Sequence, residues 1–270
     1  MKIIRARSRF ERLELAAPFG FKGQYVREVW QSVVLLEEEG GTQGMGLGIQ
    51  SALWSDSDIF SKYGENSSNC LMFLMTDFAV REIDGMEFDT PQEFFESLLP
   101  RVYEYGQKVT TDDQLSVTFA LNALVPVDTA LWQLYGRQKQ VGSFDEMVPK
   151  AYRAGLSARH TKLAAIPLVS YGLDEAAISE ILSEGSFVLK VKIGADPEKD
   201  GDVEKMLAWD KARLSTVHRL ARNFEVPYTD SGRVLYYLDA NGRYPSLSVV
   251  EELLKHAERE GALERIVILE

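Results

Sequence analysis

Sulfur and imidazole are scarce in this sequence: one cysteine and three histidines stand among 270 residues. A single cysteine excludes an intrachain disulfide and points to a reducing compartment. Cys70 sits in Asn69-Cys70-Leu71-Met72-Phe73, where a small buried hydrophobe is expected rather than a nucleophile. His160, His218 and His256 fall in basic or polar stretches without metal-ligand spacing. No apolar run approaches the roughly 18 residues of a membrane span. Cations are also short. Thirty Lys and Arg face 41 Asp and Glu, a net charge of −11, which argues against nucleic acid or an anionic membrane as the main partner. An anionic substrate would then need local cations or a metal. The first residues alternate and carry charge, without the apolar centre of a signal peptide, so a cytoplasmic, soluble protein is expected.

What is present is an ordinary globular composition, 45% hydrophobic and 26% charged, in a chain long enough for one large domain or two modest ones. Residues 2–15, 26–38 and 43–50 alternate and read as an antiparallel meander, with Gly40-Gly41 turning the second hairpin. A connection rich in Gly and Phe is expected over 17–25, and a polar loop with exposed aromatics, Trp54 and Phe60, over 51–69. Phe19, Phe21 and Tyr25 join these as candidates for a lid or for packing at a domain boundary. Glu37-Glu38-Glu39 reads as a solvated turn. Thr90-Pro91 starts a helix over 91–106, and a long apolar helix spans 115–138, with Pro126 expected to kink or split it. Gly44-Met45-Gly46-Leu47-Gly48 resembles a dinucleotide fingerprint only superficially; small residues in a closely packed strand are the better reading.

From about residue 160 strands and helices alternate, which implies βαβ units and a parallel sheet. Strands are expected over 166–171, 187–193, 234–239 and 265–270. Helices are expected after Asp174, over 202–222, and in a stretch with its onset near Pro245 that contains a capping box at Ser248-Val249-Val250-Glu251. Residues 223–234 form a longer loop, in which Asp230-Ser231-Gly232 suggests a small hairpin.

Three of these strands finish on reactive side chains. Lys190 and Lys192 lie two apart and share a face. Neighbouring ammonium groups and partial burial both lower a lysine's proton affinity, so one of the pair is a candidate general base. Alternation alone fits a solvent-facing strand equally well. Asp239 and Asn241 repeat the spacing on the next strand, although Asp-Ala-Asn-Gly is also a good turn sequence. Glu270 ends the fourth. Together they offer two bases and two acidic oxygens suited to a hard cation such as Mg2+, in the place where a β/α barrel carries its chemistry.

Lys190-Val191-Lys192, Asp239-Ala240-Asn241 and Ile268-Leu269-Glu270 resemble the strand ends of the enolase superfamily, on the side of muconate-lactonising enzymes, dipeptide epimerases and mandelate racemase. Residues 126–136, Pro-Val-Asp-Thr-Ala-Leu-Trp-Gln-Leu-Tyr-Gly, resemble that family's helix leading into the barrel. The resemblance implies an α+β capping domain (1–125) followed by an α/β, TIM-like barrel (126–270), of which only about the first four strands are present in this chain. It implies Asp239 and Glu270 as magnesium ligands and Lys192 as the base that takes the proton α to a substrate carboxylate. Lys190 would tune that base, Asn241 would support it, and magnesium would hold the enediolate. The product would come from racemisation, epimerisation or cycloisomerisation, with an isomerase the first expectation. A sugar-acid dehydratase of the same fold and a non-catalytic binding or scaffold relative are the alternatives. The partner would be a small-molecule carboxylate, with neither nucleic acid nor membrane involved, and self-association is compatible. A third ligand and an opposite base belong on later strands, so the chain is expected to be part of a longer protein.

Overall fold

The computed structural model describes residues 1–21, 24–198 and 200–270. They form two compact units, Met1–Ala158 and Arg159–Glu270.

In the first unit β1 (Ile3–Phe21), β2 (Gln24–Glu38) and β3 (Gln43–Gln50) make the expected antiparallel meander in the order β1-β2-β3. The expected connection at 17–25 is instead strand up to Phe21 and again from Gln24, with residues 22–23 outside the described residues. At the second hairpin Gly41 takes φ +86°, a conformation glycine adopts without steric cost. Glu38 is buried rather than solvated, because its carboxylate accepts the backbone N–H groups of Gly40 at 2.8 Å and Thr42 at 3.0 Å.

The expected polar loop over 51–69 is helical: α1 (Ala52–Ser55) is followed by α2 (Ser57–Ile83), with a break at Gly64, φ +76°. Its polar residues act as helix signals, since Asp56 caps α2 by accepting the N–H groups of Asp58 and Ile59. Phe60 is buried while Trp54 is exposed, and Cys70, expected inside, is exposed on α2. α3 (Pro91–Thr110) starts under its Thr90 cap as read and runs four residues further.

α4 (Val117–Gln138) is one helix, unbroken at Pro126, and it crosses the expected domain boundary at 125/126. The glycines of β3 explain its seat. A Cβ on Gly46 would overlap the Pro126 carbonyl oxygen and the Ala130 backbone nitrogen, and one on Gly48 would lie 2.7 Å from Pro126 Cδ. Gly44, Gly46 and Gly48 therefore let the helix backbone rest on the strand, which is the close packing read from the sequence. Among the described residues α4 alone is long and apolar enough to cross a membrane, and half of its most apolar stretch is buried within the unit. A short α5 (Phe144–Met147) follows.

The second unit alternates as expected: β4 (Leu168–Val169), α6 (Glu175–Ser183), β5 (Val188–Lys192), α7 (Val203–Ala221), β6 (Leu235–Asp239), α8 (Leu247–Arg259) and β7 (Ile266–Leu269). The sheet is parallel, in the order β4-β5-β6-β7. Asp174 and Asp202 cap α6 and α7. α8 has its N-cap at Ser246, next to Pro245, and residues 248–251 lie inside its first turns. Bridging of Glu225 to Arg233 forms the small hairpin expected in 223–234.

One face of this sheet, Leu189, Val191, Tyr236 and Leu238, packs with Leu182, Leu214, Val217 and Leu253 of the helices. His218, expected on a polar stretch, is buried against that face with Nδ1 2.9 Å from Tyr236 Oη. The opposite face carries Lys190, Lys192, Tyr237 and Asp239, because strand residues two apart point the same way. In β7, Val267, Ile268 and Leu269 are all exposed.

Candidate active site

The parallel register sets Lys190 beside Tyr237 and Lys192 beside Asp239. Beyond β7, Glu270 pairs through its backbone with Leu238 and Ala240. The five side chains singled out in the sequence are thereby drawn into one cluster at the C-terminal ends of β5, β6 and β7.

Asp239 is its centre. Its side chain is 1% exposed, and Oδ2 lies 2.8 Å from Lys190 Nζ and 2.6 Å from Lys192 Nζ. Oδ1 accepts the Asn241 backbone N–H at 2.9 Å. That last bond needs the tight turn after β6, in which Asn241 takes φ +50°, a conformation asparagine tolerates better than most residues. Asn241 Oδ1 in turn accepts from Lys192 Nζ. Lys190 Nζ also lies 2.9 Å from Glu270 Oε2 and 3.1 Å from Tyr237 Oη, and 4.4 Å from the Tyr237 ring centre. Tyr237 donates to Glu270 Oε2.

These contacts distinguish Lys190 within the lysine pair. Burial opposes the charge on Lys190, but hydrogen bonds with Asp239, Glu270 and Tyr237 outweigh it and hold the ammonium above the usual lysine range. The surroundings of Lys190 thus favour its charged form, as suits the tuning role that the resemblance implies for it. Asp239 lies between the two ammonium groups and offsets their mutual repulsion. Asp239 is held below the usual carboxylate range: burial pushes it up, and the two lysines and the Asn241 N–H more than offset that. Glu270 is held low by Tyr237 and then by Lys190.

Tyr237 and Asp210 were not singled out in the sequence. Tyr237 precedes Asp239 by two residues, the same spacing that pairs Lys190 with Lys192, so strand periodicity could have found it. Asp210, on α7, left no such signal. It is fully buried and accepts the N–H groups of Gly194 at 2.8 Å and Ala195 at 3.3 Å, and the Tyr244 hydroxyl at 2.6 Å. It thus ties down the segment that follows Lys192. Burial pushes its carboxyl up to about 6, against the hydrogen bonds it accepts.

Whether the cluster suits a divalent cation can be judged from Lys190. Its ammonium sits within 2.9 Å of oxygens from both Asp239 and Glu270, so the two carboxylates converge on one cationic centre. They fit as two oxygen donors to a hard cation. Among the described residues no group of three acids, histidines or cysteines completes such a site.

No family model matches the sequence, and no curated protein matches it. Solved structures do. The chain is similar to a mandelate racemase/muconate lactonizing protein from Herpetosiphon aurantiacus, with a TM-score of 0.64 at 15% identity over 98% of this chain and 59% of the other. It is similar to a dipeptide epimerase from Enterococcus faecalis solved with Mg and the dipeptide L-Leu-L-Tyr, with a TM-score of 0.60 at 17% identity over 100% and 60%. L-Talarate dehydratase from Polaromonas, solved with Mg and L-glucarate, gives 0.57 at 17% over 96% and 59%. The chain spans about 60% of the length of these proteins. The resemblance read from the strand ends is thus met at the level of the fold, which this chain shares with a mandelate racemase/muconate lactonizing protein, a dipeptide epimerase and L-talarate dehydratase.

Proposed function

We propose that the chain contributes the first part of a magnesium-dependent enzyme that removes the proton α to a substrate carboxylate, with an isomerase as the leading reaction. In this reading unit 1 acts as a capping domain, and the four-stranded sheet is the start of a TIM-like barrel. The observation that carries it is the convergence of Lys190, Lys192, Asp239, Asn241 and Glu270 at the ends of consecutive parallel strands, in a fold shared with epimerases and racemases.

The residues divide the work by their partners. Lys190, held charged by Asp239, Glu270 and Tyr237, is suited to stabilise negative charge that develops on a substrate carboxylate. Lys192, with a side chain 12% exposed, would take the proton, and its contact with Asn241 supports an orienting role for that residue. Asp239 and Glu270 would hold Mg2+. When bound, that cation would draw electron density from the substrate carboxylate and so acidify the α C–H.

The test is α-proton exchange in deuterium oxide, followed by proton NMR on a panel of dipeptides, N-acyl amino acids and aldarates. Exchange is expected only with magnesium, and Lys192→Met should abolish it from one face. Unchanged exchange in that variant removes Lys192 from the mechanism.

A second reading, a non-catalytic carboxylate binder, is favoured by the Lys190 ammonium standing where the two carboxylates converge. Calorimetry separates the two. Magnesium binding that weakens in Asp239→Asn supports the enzyme; carboxylate binding that ignores magnesium supports the binder.

A further inference from the structure

Unit 1 contains a cavity of about 440 Å³ between α3, α4 and the segment after α5, within the size range of small-molecule sites. Aromatic side chains dominate its walls: Phe95 from α3, Trp132 from α4, Phe144 from α5, and Tyr152. Two carboxylates, Glu96 and Asp128, also line it. Among the described residues that line it there is no lysine or arginine; Lys150 and Arg153, close by in sequence, are not part of the lining. The Trp132 indole N–H donates to Asp128, and burial pushes the Asp128 carboxyl up from its ordinary range against that bond. Gln92 donates to Glu96 at 2.9 Å and to Tyr152 Oη at 2.6 Å, which braces one wall.

The composition decides the kind of occupant. Aromatic faces attract cations through the ring quadrupole, and cages of such rings recognise organic ammonium groups. A half-buried carboxylate supplies a counter-charge in surroundings where burying an unpaired charge is costly. A purely apolar ligand would add no counter-charge to the single Trp132 N–H that faces Asp128, and an anion would face two carboxylates. A compact hydrated metal ion would gain nothing from the aromatic walls. We infer that this cavity binds a small organic ammonium compound, its cationic head near Asp128 and its apolar part against Phe95, Trp132, Phe144 and Tyr152. The site serves binding and calls for no chemistry.

The experiment uses the 270-residue protein with two probes of nearly equal shape, choline and its uncharged isostere 3,3-dimethylbutan-1-ol. The reporter is the Trp132 indole N–H resonance, assigned by its loss in Trp132→Phe. Choline should give a saturable shift, with affinity about tenfold above the isostere, the order expected for a partly desolvated cation–π contact. Asp128→Asn keeps the shape and an acceptor for the indole, and it should remove most of that preference while circular dichroism stays unchanged. Phe144→Leu keeps an apolar wall at an exposed position, so the fold is not at risk, and it should weaken choline severalfold with little effect on the isostere. Equal binding of the two probes, no saturable shift, or choline affinity indifferent to both substitutions would each overturn the inference.

Discussion

Replacing Asp239 by asparagine tests the electrostatic logic of the lysine cluster most directly. The change removes one negative charge, with almost no change of volume, from a side chain that is 1% exposed and within 2.8 Å of two ammonium groups. At an effective dielectric of about 20, each contact represents a gross attraction of about 6 kcal/mol. Much of this only offsets the desolvation of three charges, so the net cost of removing the shared partner is about 3–5 kcal/mol. Glu270 and Tyr237 remain to hold Lys190, which places the expected loss near the lower end. The assay is urea unfolding monitored at Trp209 in the second unit. A double-mutant cycle with Lys192→Met completes it. If the carboxylate acts by compensating buried positive charge, the double variant should recover a large part of the loss. A loss below about 1 kcal/mol, or no recovery in the double variant, would refute the reasoning.

Two further outcomes follow from groups outside that cluster. Gly46→Ala should destabilise the first unit by about 3 kcal/mol or more, because its methyl group would overlap backbone atoms of α4; Gly41→Ala tests strain alone, since nothing lies within 4 Å of its Cβ position. A thermal melt that ranks Gly41→Ala as the more damaging would contradict the close packing. Asp210 makes stability depend on pH. Its carboxyl is raised from 3.8 to about 6 on folding, so its contribution is fully present below about pH 4 and is lost as pH rises through 6. Relative to Asp210→Asn, the parent protein should gain about 2 kcal/mol on going from pH 7.5 to pH 4. A difference between the two that stays flat over this range would refute the assignment.

What the sequence made legible follows from periodicity and local chemistry. The meander and the shared face of Lys190 and Lys192 are period-2 signals, the strand–helix alternation after residue 160 is a switching between periods 2 and 3.6, and each appears in the structure at its expected place. Thr90 and Asp174 announced their helices by side-chain chemistry that acts within three residues. What stayed hidden lies partly in local contacts, as at Asp56 and Glu38, and partly in contacts elsewhere in the chain, as at Pro126 and Lys190. Asp56 was read as part of a polar loop, although the same residue type caps helices. Glu38 reads as solvated until the hairpin folds two N–H groups onto it. Pro126 suggests a break, yet α4 continues where a strand of alternating glycines accepts its backbone. The state of Lys190 depends on Asp239, Tyr237 and Glu270, 47 to 80 residues away, and no local rule contains that information.

The exposure of Val267, Ile268 and Leu269 bears on how this polypeptide behaves at high concentration. Among the described strands β7 has a hydrogen-bonded neighbour on one side only, and an apolar strand edge is a template for adding another chain. Association should therefore begin there, rising steeply with protein concentration and only weakly with falling salt, since the segment carries no charge of its own. A charged residue in place of Ile268 would slow it by burdening the growing contact with desolvation. The same edge is where a supplied strand would find its first register.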